Sequence, residues 1–439
     1  MTVATNPFVA GSPVRSAGFF DRREVLRRAC ERLRAHGQST AIFGEPRSGK
    51  TSVLRYLSAP ENRSRLYGAD CERLAFSRLD TQTFAGDITP AEFWRRTLAP
   101  LETHIRDGNV STAASKQYEL CCANIFDTSS LYELFQTVND AGWRLVVLFD
   151  DFQLVLQQTG LNSAEFFGGL RGLAQTGEGL AIVIATSLPM TILNQQALPL
   201  KPVGSPYLNF MAEVLLGPFP TNDIDALLDI AGERFHTRDR RAITRLAGGQ
   251  PFLLQAAAAA MWDACEDGNL DTVDRRRYVG QRVYREYRVH FMDTWRLWSP
   301  AQRKAFTSVA LAHTAHLLPE REFLTSAFVD GLRDWAPELN DLEATGLLEQ
   351  DETVAGGRRV APEAMLWWLA DELVRSVRSA DTPFEDWLRA QELDGVFTRQ
   401  EQEQLSAVVR GAAQVLRQGA STLVEAFAKG VAANVTGRS

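Results

Sequence analysis

Residues Gly44-Glu45-Pro46-Arg47-Ser48-Gly49-Lys50-Thr51 match the pattern G-x-x-x-x-G-K-[ST] in full. Each fixed position has a chemical reason. Gly44 and Gly49 let the backbone turn so that successive N–H groups point inward at phosphate oxygens. Lys50 brings a point charge to β- and γ-phosphates, and Thr51 offers a hydroxyl to Mg²⁺. The flanks agree with the loop. "STAIF" (Ser39 to Phe43) is rich in strand formers, and "KTSVLRYL" opens a helix whose N-terminus favours an anion. The predicted cradle is Gly44, Glu45, Pro46, Arg47, Ser48, Gly49, Lys50, Thr51 and Ser52.

Such a loop needs an acid to hold the metal. "RLVVLFDDF" supplies it: Leu145 to Phe149 are apolar, and Asp150 and Asp151 follow. An unbroken apolar run of this kind reads as a strand buried on both faces of a parallel sheet. Asp150 at its C-terminal end is expected to hold Mg²⁺. Asp151 is expected to orient or deprotonate the attacking water. "GLAIVIATS" (Gly179 to Ser187) is a further buried strand ending in Thr186 and Ser187, polar groups placed to feel the γ-phosphate. "RLAFSRLD" (Arg73 to Asp80) is another. Strands separated by helical stretches predict βαβ units, hence a parallel, doubly wound sheet with its ligand at the strand C-termini.

At this point the chain resembles the STAND branch of the AAA+-like P-loop ATPases, relatives of the archaeal and origin-recognition ATPases. "NPFVAGSPVRSAGFFDRREVLRRACERL" (Asn6 to Leu33) is similar to the family's lead-in, where a "FFGRE"-like segment borders the adenine. The resemblance therefore puts Phe20 and Arg22 beside the base. "RLDTQTF" (Arg78 to Phe84), the acid pair and "VIATS" follow in the family's order. "LAGGQPFLLQ" (Leu246 to Gln255) resembles its GxP motif, and so places Pro251 in a helical lid near the base and sugar. Arg171 has a spacing that suits an arginine acting on a neighbouring subunit. A surface helix position is its plainer reading. The resemblance implies ATP and Mg²⁺ as ligands, ADP as product, a homo-oligomer when active, and a role in bacterial defence or regulation with a protein effector or sensor as partner.

The elements that must position these residues divide as follows: a P-loop α/β domain over 1–215, a helical lid over 216–298, a winged helix over 299–378 and a helical tail over 379–439. In the lid, Ile224, Leu227, Leu228 and Ala231 keep a helical apolar spacing. In the third segment three helices precede a hairpin turning at Gly356-Gly357. Its reading helix carries Glu338, Asp341 and Glu343, which would repel phosphates, so a protein contact is favoured over DNA. Arg358 and Arg359 speak the other way. "DRRRYVGQRVYREYRVH" (Asp274 to His290) is basic and reads first as a solvated helix face. In the tail, Thr398 and Glu401 fit a capping box. A long amphipathic stripe follows from Leu405 to Val431. It suits a helix packed on the body, an oligomerising helix, or a segment exposed on activation that contacts a membrane surface or effector.

Bulk properties narrow the classes. The chain has 439 residues, 45% hydrophobic and 23% charged, with a net charge of −7. It exceeds one ordinary core, and its charge argues against gripping nucleic acid through bulk attraction. Five scattered cysteines predict neither a disulfide framework nor a zinc site. The first residues lack the apolar core of a signal peptide, and no run of about 18 apolar residues occurs, so a cytoplasmic protein is expected. The expectation is a slow ATPase acting as a signalling switch, whose nucleotide state controls oligomerisation or exposure of an effector or tail. Two alternatives stand beside it: a DNA-handling AAA+ ATPase of origin-recognition or transposition-helper type, and a scaffold that binds nucleotide without hydrolysing it.

Overall fold

The computed structural model describes residues 5–20, 22–34, 38–176, 178–197, 206–267, 270–317, 326–378 and 384–406. Contacts divide the chain into two compact units, Pro13–Leu216 and Met1–Ser12 together with Gly217–Ser439.

The first unit runs α1 (Arg23–Arg34), β1 (Thr40–Phe43), α2 (Lys50–Ser58), α3 (Pro60–Tyr67), β2 (Leu74–Asp80), α4 (Pro90–Arg106), α5 (Thr112–Ala123) and α6 (Thr128–Asp140). It continues with β3 (Arg144–Asp150), α7 (Ala164–Thr176), β4 (Leu180–Thr186), α8 (Met190–Ala197) and β5 (Ala212–Leu215). Among the described residues the strands form one parallel sheet in the order β2-β3-β4-β1-β5. β4 thus lies between the strand that leads into the glycine loop and the strand that ends in the acids.

Side-chain alternation decides what covers each face. Leu145, Val147 and Phe149 of β3, with Leu180, Ile182 and Ile184 of β4, pack against Phe93, Leu98, Leu134 and Phe167 from α4, α6 and α7. Val146, Leu148, Ala181 and Val183 point the other way, onto Leu33 of α1 and Val53, Leu54 and Leu57 of α2. Both faces are covered, which is why these strands are continuous apolar runs. Truncating Leu148, fully buried, would cost about 2–5 kcal/mol. Helix starts are set locally. Thr89 and Glu92 form a capping box ahead of α4, with Pro90 at its first position. Ser111 and Asp127 cap α5 and α6.

The second unit is mainly helical: α9 (Thr221–Leu228), α10 (Thr237–Ala247), α11 (Pro251–Glu266), α12 (Thr272–Leu297), α13 (Pro300–Leu317), α14 (Ser326–Gly331) and α15 (Ala336–Ala344). An antiparallel hairpin follows, β6 (Leu348–Gln350) with β7 (Arg358–Val360), then α16 (Glu363–Arg378) and α17 (Phe384–Ala390). The hairpin turns at Gly356 and Gly357, both at positive φ (88° and 73°). Residues 5–9 lie on α11. Asn6 donates to the Ala259 carbonyl and Asp263, and Phe8 stacks on Phe235 with centroids 5.6 Å apart. Val9 N–H donates to Gln255 Oε1. The Thr398–Glu401 capping box forms as the spacing predicts. The predicted amphipathic stripe from residue 407 onward lies outside the described residues, as do Asp21 of the lead-in and 321–325 of the predicted "REFLTSAFVDGL" helix. Among the described residues no helix is long and apolar enough to cross a membrane.

Candidate functional site: a phosphate loop facing two aspartates

The loop between β1 and α2 is shaped by its glycines. Gly49 is left-handed at φ 100°. A Cβ on Gly44 would come 2.7 Å from Ser48 Oγ and 3.0 Å from the Leu216 carbonyl oxygen, so only glycine fits. Arg47, exposed, also has positive φ (62°). Glu45 and Pro46 are half-buried. Ser48 Oγ is buried without a partner, and the Ser48 carbonyl accepts from the buried Arg22 guanidinium at 3.0 Å. Ser52, one residue past Thr51, accepts from the Val14 N–H at 3.2 Å.

Lys50 is 6% exposed. Its ammonium donates to the loop's own carbonyls, Gly44 at 2.8 Å and Glu45 at 2.9 Å. Burial pushes this lysine down to about 8, against the pull of Asp151, Glu45 and Asp150. A buried ammonium resting on its own loop is ready for anionic oxygens in place of neutral carbonyls. The Thr51 hydroxyl donates to Asp150 Oδ1 at 3.1 Å, across 99 positions of sequence. Burial pushes the Asp150 carboxyl up. The Thr51 hydrogen bond opposes the rise, and the negative charges of Asp151 and Asp80 add to it. A hydroxyl and a carboxylate side by side are hard oxygen donors of the kind Mg²⁺ takes. The unpartnered Ser48 hydroxyl, the glycine-only turn and these donors therefore fit a nucleotide phosphate group with its metal.

Asp151 sits just beyond β3 in the left-handed region at φ 54°. Its Oδ2 accepts from Gln82 Nε2 at 2.6 Å and its Oδ1 from Gln153 Nε2 at 3.1 Å. The buried Thr81 hydroxyl lies 2.8 Å from the carbonyls of both Asp150 and Asp151, donating to one at a time. Thr81, Gln82 and Gln153 were not singled out from the sequence. The only signal was position, directly after β2 in "RLDTQTF" and two residues past the acid pair.

The remaining predicted residues are placed as follows. The Thr186 hydroxyl closes its own turn, accepting from Leu188 N–H at 3.0 Å and donating to the Leu188 carbonyl at 3.1 Å. The Ser187 N–H points to Gln153 Oε1 at 3.4 Å. Phe20 is half-buried, while its neighbour Phe19 stacks on Tyr56 with centroids 4.1 Å apart. Arg171, on α7, bonds Gln175 Oε1 and the Pro206 carbonyl, each at 3.1 Å. Pro251 belongs to the second unit, at the first position of α11. The turn before it is tightly seated: a Cβ on Gly249 would meet Pro218 at 2.6 Å, and Gln250 Nε2 donates to the Thr345 carbonyl at 2.7 Å.

The loop after β1, the acids at the C-terminal edge of β3 and the strand order make this a P-loop-type α/β fold with one parallel sheet. Among solved structures the chain is similar to a Walker-type ATPase of Pyrococcus abyssi, at 19% identity over 81% of this chain and 97% of that one, with a TM-score of 0.49. It is similar to the Aeropyrum pernix ORC2 protein in ADPNP–ADP complexes, at 14% identity over 84% and 96% of the two chains, TM-score 0.46. It is also similar to a chain of Drosophila ORC bound to DNA, at 11% identity over 81% and 88%, TM-score 0.40. No family model and no curated protein matches the chain.

Proposed function

We propose that this chain binds ATP with Mg²⁺ at the loop after β1, hydrolyses it slowly, and works as a nucleotide-dependent switch of the STAND kind. The observation that carries the reading is the pairing of Thr51 with Asp150 beside the buried Lys50 ammonium, at the C-terminal edge of one parallel sheet. Mg²⁺, when bound, supplies charge neutralisation at the phosphate oxygens. Thr51 and Asp150 hold it. The loop N–H groups and Lys50 hold the phosphates, and Asp151 orients a water and takes its proton. Arg171 serves a neighbouring subunit, and nucleotide state sets oligomerisation or the exposure of an effector or the tail.

One observation weighs against DNA as the partner of residues 299–378. Arg358 is ion-paired with Glu343, and Arg359 with Glu349 and Asp351. Cations neutralised by carboxylates of their own hairpin and of α15 offer little to a phosphate backbone, which supports a protein contact.

Binding of a fluorescent ATP analogue and phosphate release test the reading. Lys50→Ala should abolish binding, and Asp151→Asn should bind normally and release phosphate far more slowly than the parent. Equal affinity of Lys50→Ala and parent would end it. Mass in solution, without nucleotide and with a non-hydrolysable analogue, tests the switch: an unchanged mass and shape would leave a nucleotide-bound scaffold.

A further inference from the structure

The side chain of Asp151 is held by two amides, one of which also reaches the turn after β4. Gln82 follows β2 and donates to Oδ2 at 2.6 Å. Gln153 stands two residues after Asp151 and donates to Oδ1 at 3.1 Å. The carbonyl end of the same Gln153 amide accepts from the Ser187 N–H, just past β4, at 3.4 Å. The strands β2, β3 and β4 are consecutive in the sheet. Gln82 is itself held, its N–H donating to Asp80 Oδ1 at 3.0 Å. Thr81 ties that turn to the carbonyls of Asp150 and Asp151.

From this geometry we infer that Gln82 and Gln153 are positioning residues for Asp151, and that Gln153 connects the acid to the turn after β4. The inference rests on the hydrolytic reading above. A carboxylate has about four lone-pair sites, and one amide on each oxygen leaves the others open to a water proton. A neutral amide orients the carboxylate without the charge pairing an arginine would impose. The left-handed backbone of Asp151 places its side chain between the two amides. Because the Thr186 hydroxyl is used within its own turn, the Gln153 amide is the route by which the end of β4 reaches the acid.

The test uses the full chain and two readouts: single-turnover ATP cleavage with equilibrium binding of a fluorescent ATP analogue, and urea unfolding without nucleotide. Gln153→Ala and Gln82→Ala should each slow cleavage about tenfold or more with affinity within twofold of the parent, since small misplacement of a reacting group costs that much. Gln82→Glu keeps the shape and loses the donor, and should fall at least as far. In an Asp151→Asn background neither glutamine change should slow the residual rate further. In unfolding, Gln153→Ala should lower the urea midpoint more in the parent than in Asp151→Ala. Faster cleavage, an additive loss with Asp151→Asn, or equal midpoint shifts in both backgrounds would overturn the inference. A parent that binds ATP without cleaving it would remove the hydrolytic reading alone, and the unfolding comparison would then decide whether the amides grip Asp151.

Discussion

The Thr51 hydroxyl donates to Asp150 at 3.1 Å, so the first turn of α2 is fastened to the end of β3 before any ligand is considered. The carboxylate is buried and pushed up by that burial. Asp150→Asn removes the charge and can still accept from Thr51. The substitution should therefore leave the ligand-free protein melting at or above the parent. At a hundred times its dissociation constant, ATP–Mg²⁺ should stabilise the parent by about 2.7 kcal/mol. In Asp150→Asn, adding Mg²⁺ should give no more stabilisation than ATP with a chelator. Thermal melting with and without the metal reads both, and a preserved metal response would remove Asp150 from the metal site.

Arg22 was assigned to the base by resemblance, and the structure gives its guanidinium a bond to the Ser48 carbonyl inside the loop. A hydrogen bond from a charged group is worth about 1.5–3 kcal/mol. If Arg22 braces the loop, Arg22→Ala should weaken ATP and inorganic tripolyphosphate alike, by about tenfold or more on that scale. Competition against a fluorescent nucleotide measures both. A loss confined to ATP would return Arg22 to the adenine.

The loop and the central strands were legible because their signals are local. A glycine pattern ends one strand, and the apolar runs Leu145–Phe149 and Leu180–Ala185 need no tertiary information to be read as buried on both faces. β5 was missed: "AEVL" over Ala212–Leu215 is short and carries an acid. The order β2-β3-β4-β1-β5 was not legible either, because pairing partners are chosen by packing rather than by any one strand. Residues 5–9 join the second unit through Asn6, Phe8 and Val9, contacts with partners about 230–260 positions away. Gln82 and Gln153 carry no charge and fit no motif, so their grip on Asp151 shows only when the ends of β2 and β3 come together.

The segment after α17 is bound into the second unit through buried side chains of α13. Lys304, 5% exposed, donates to the Val396 carbonyl at 2.8 Å and to Glu401 at 2.9 Å. The neighbouring Arg303 donates to the Gln391 carbonyl, and Trp295 Nε1 to the Gln391 side chain. Removing residues 384–439 would strip both cations of α13 of these partners. Breaking a buried pair from one side costs about 3–5 kcal/mol. A chain ending at residue 383 should therefore be less stable in urea unfolding, by at least that much, than one ending at residue 406. Equal stability of the two truncations would show that Lys304 finds other partners.

His313, on α13, is 3% exposed and its Nδ1 is buried without a partner. Burial first, then the positive charges of Arg359, His316 and Arg245, push it down to about 3, with Asp351 alone opposing. The sign follows from which state binds the proton. An unfolded histidine protonates near 6.5 and the folded one near 3, so between those values the unfolded chain holds the extra proton. Stability of the second unit should be full above about pH 6.5 and fall as the pH drops toward 3, by about 2 kcal/mol at pH 5 from this residue alone. His313→Gln removes the titrating group without adding charge. Urea unfolding between pH 7.5 and 5 should then fall less steeply for the variant than for the parent, while the variant starts lower at neutral pH if its amide packs worse. Parallel curves for the two proteins would mean that His313 binds its proton equally in the folded and unfolded states, against the shift argued here.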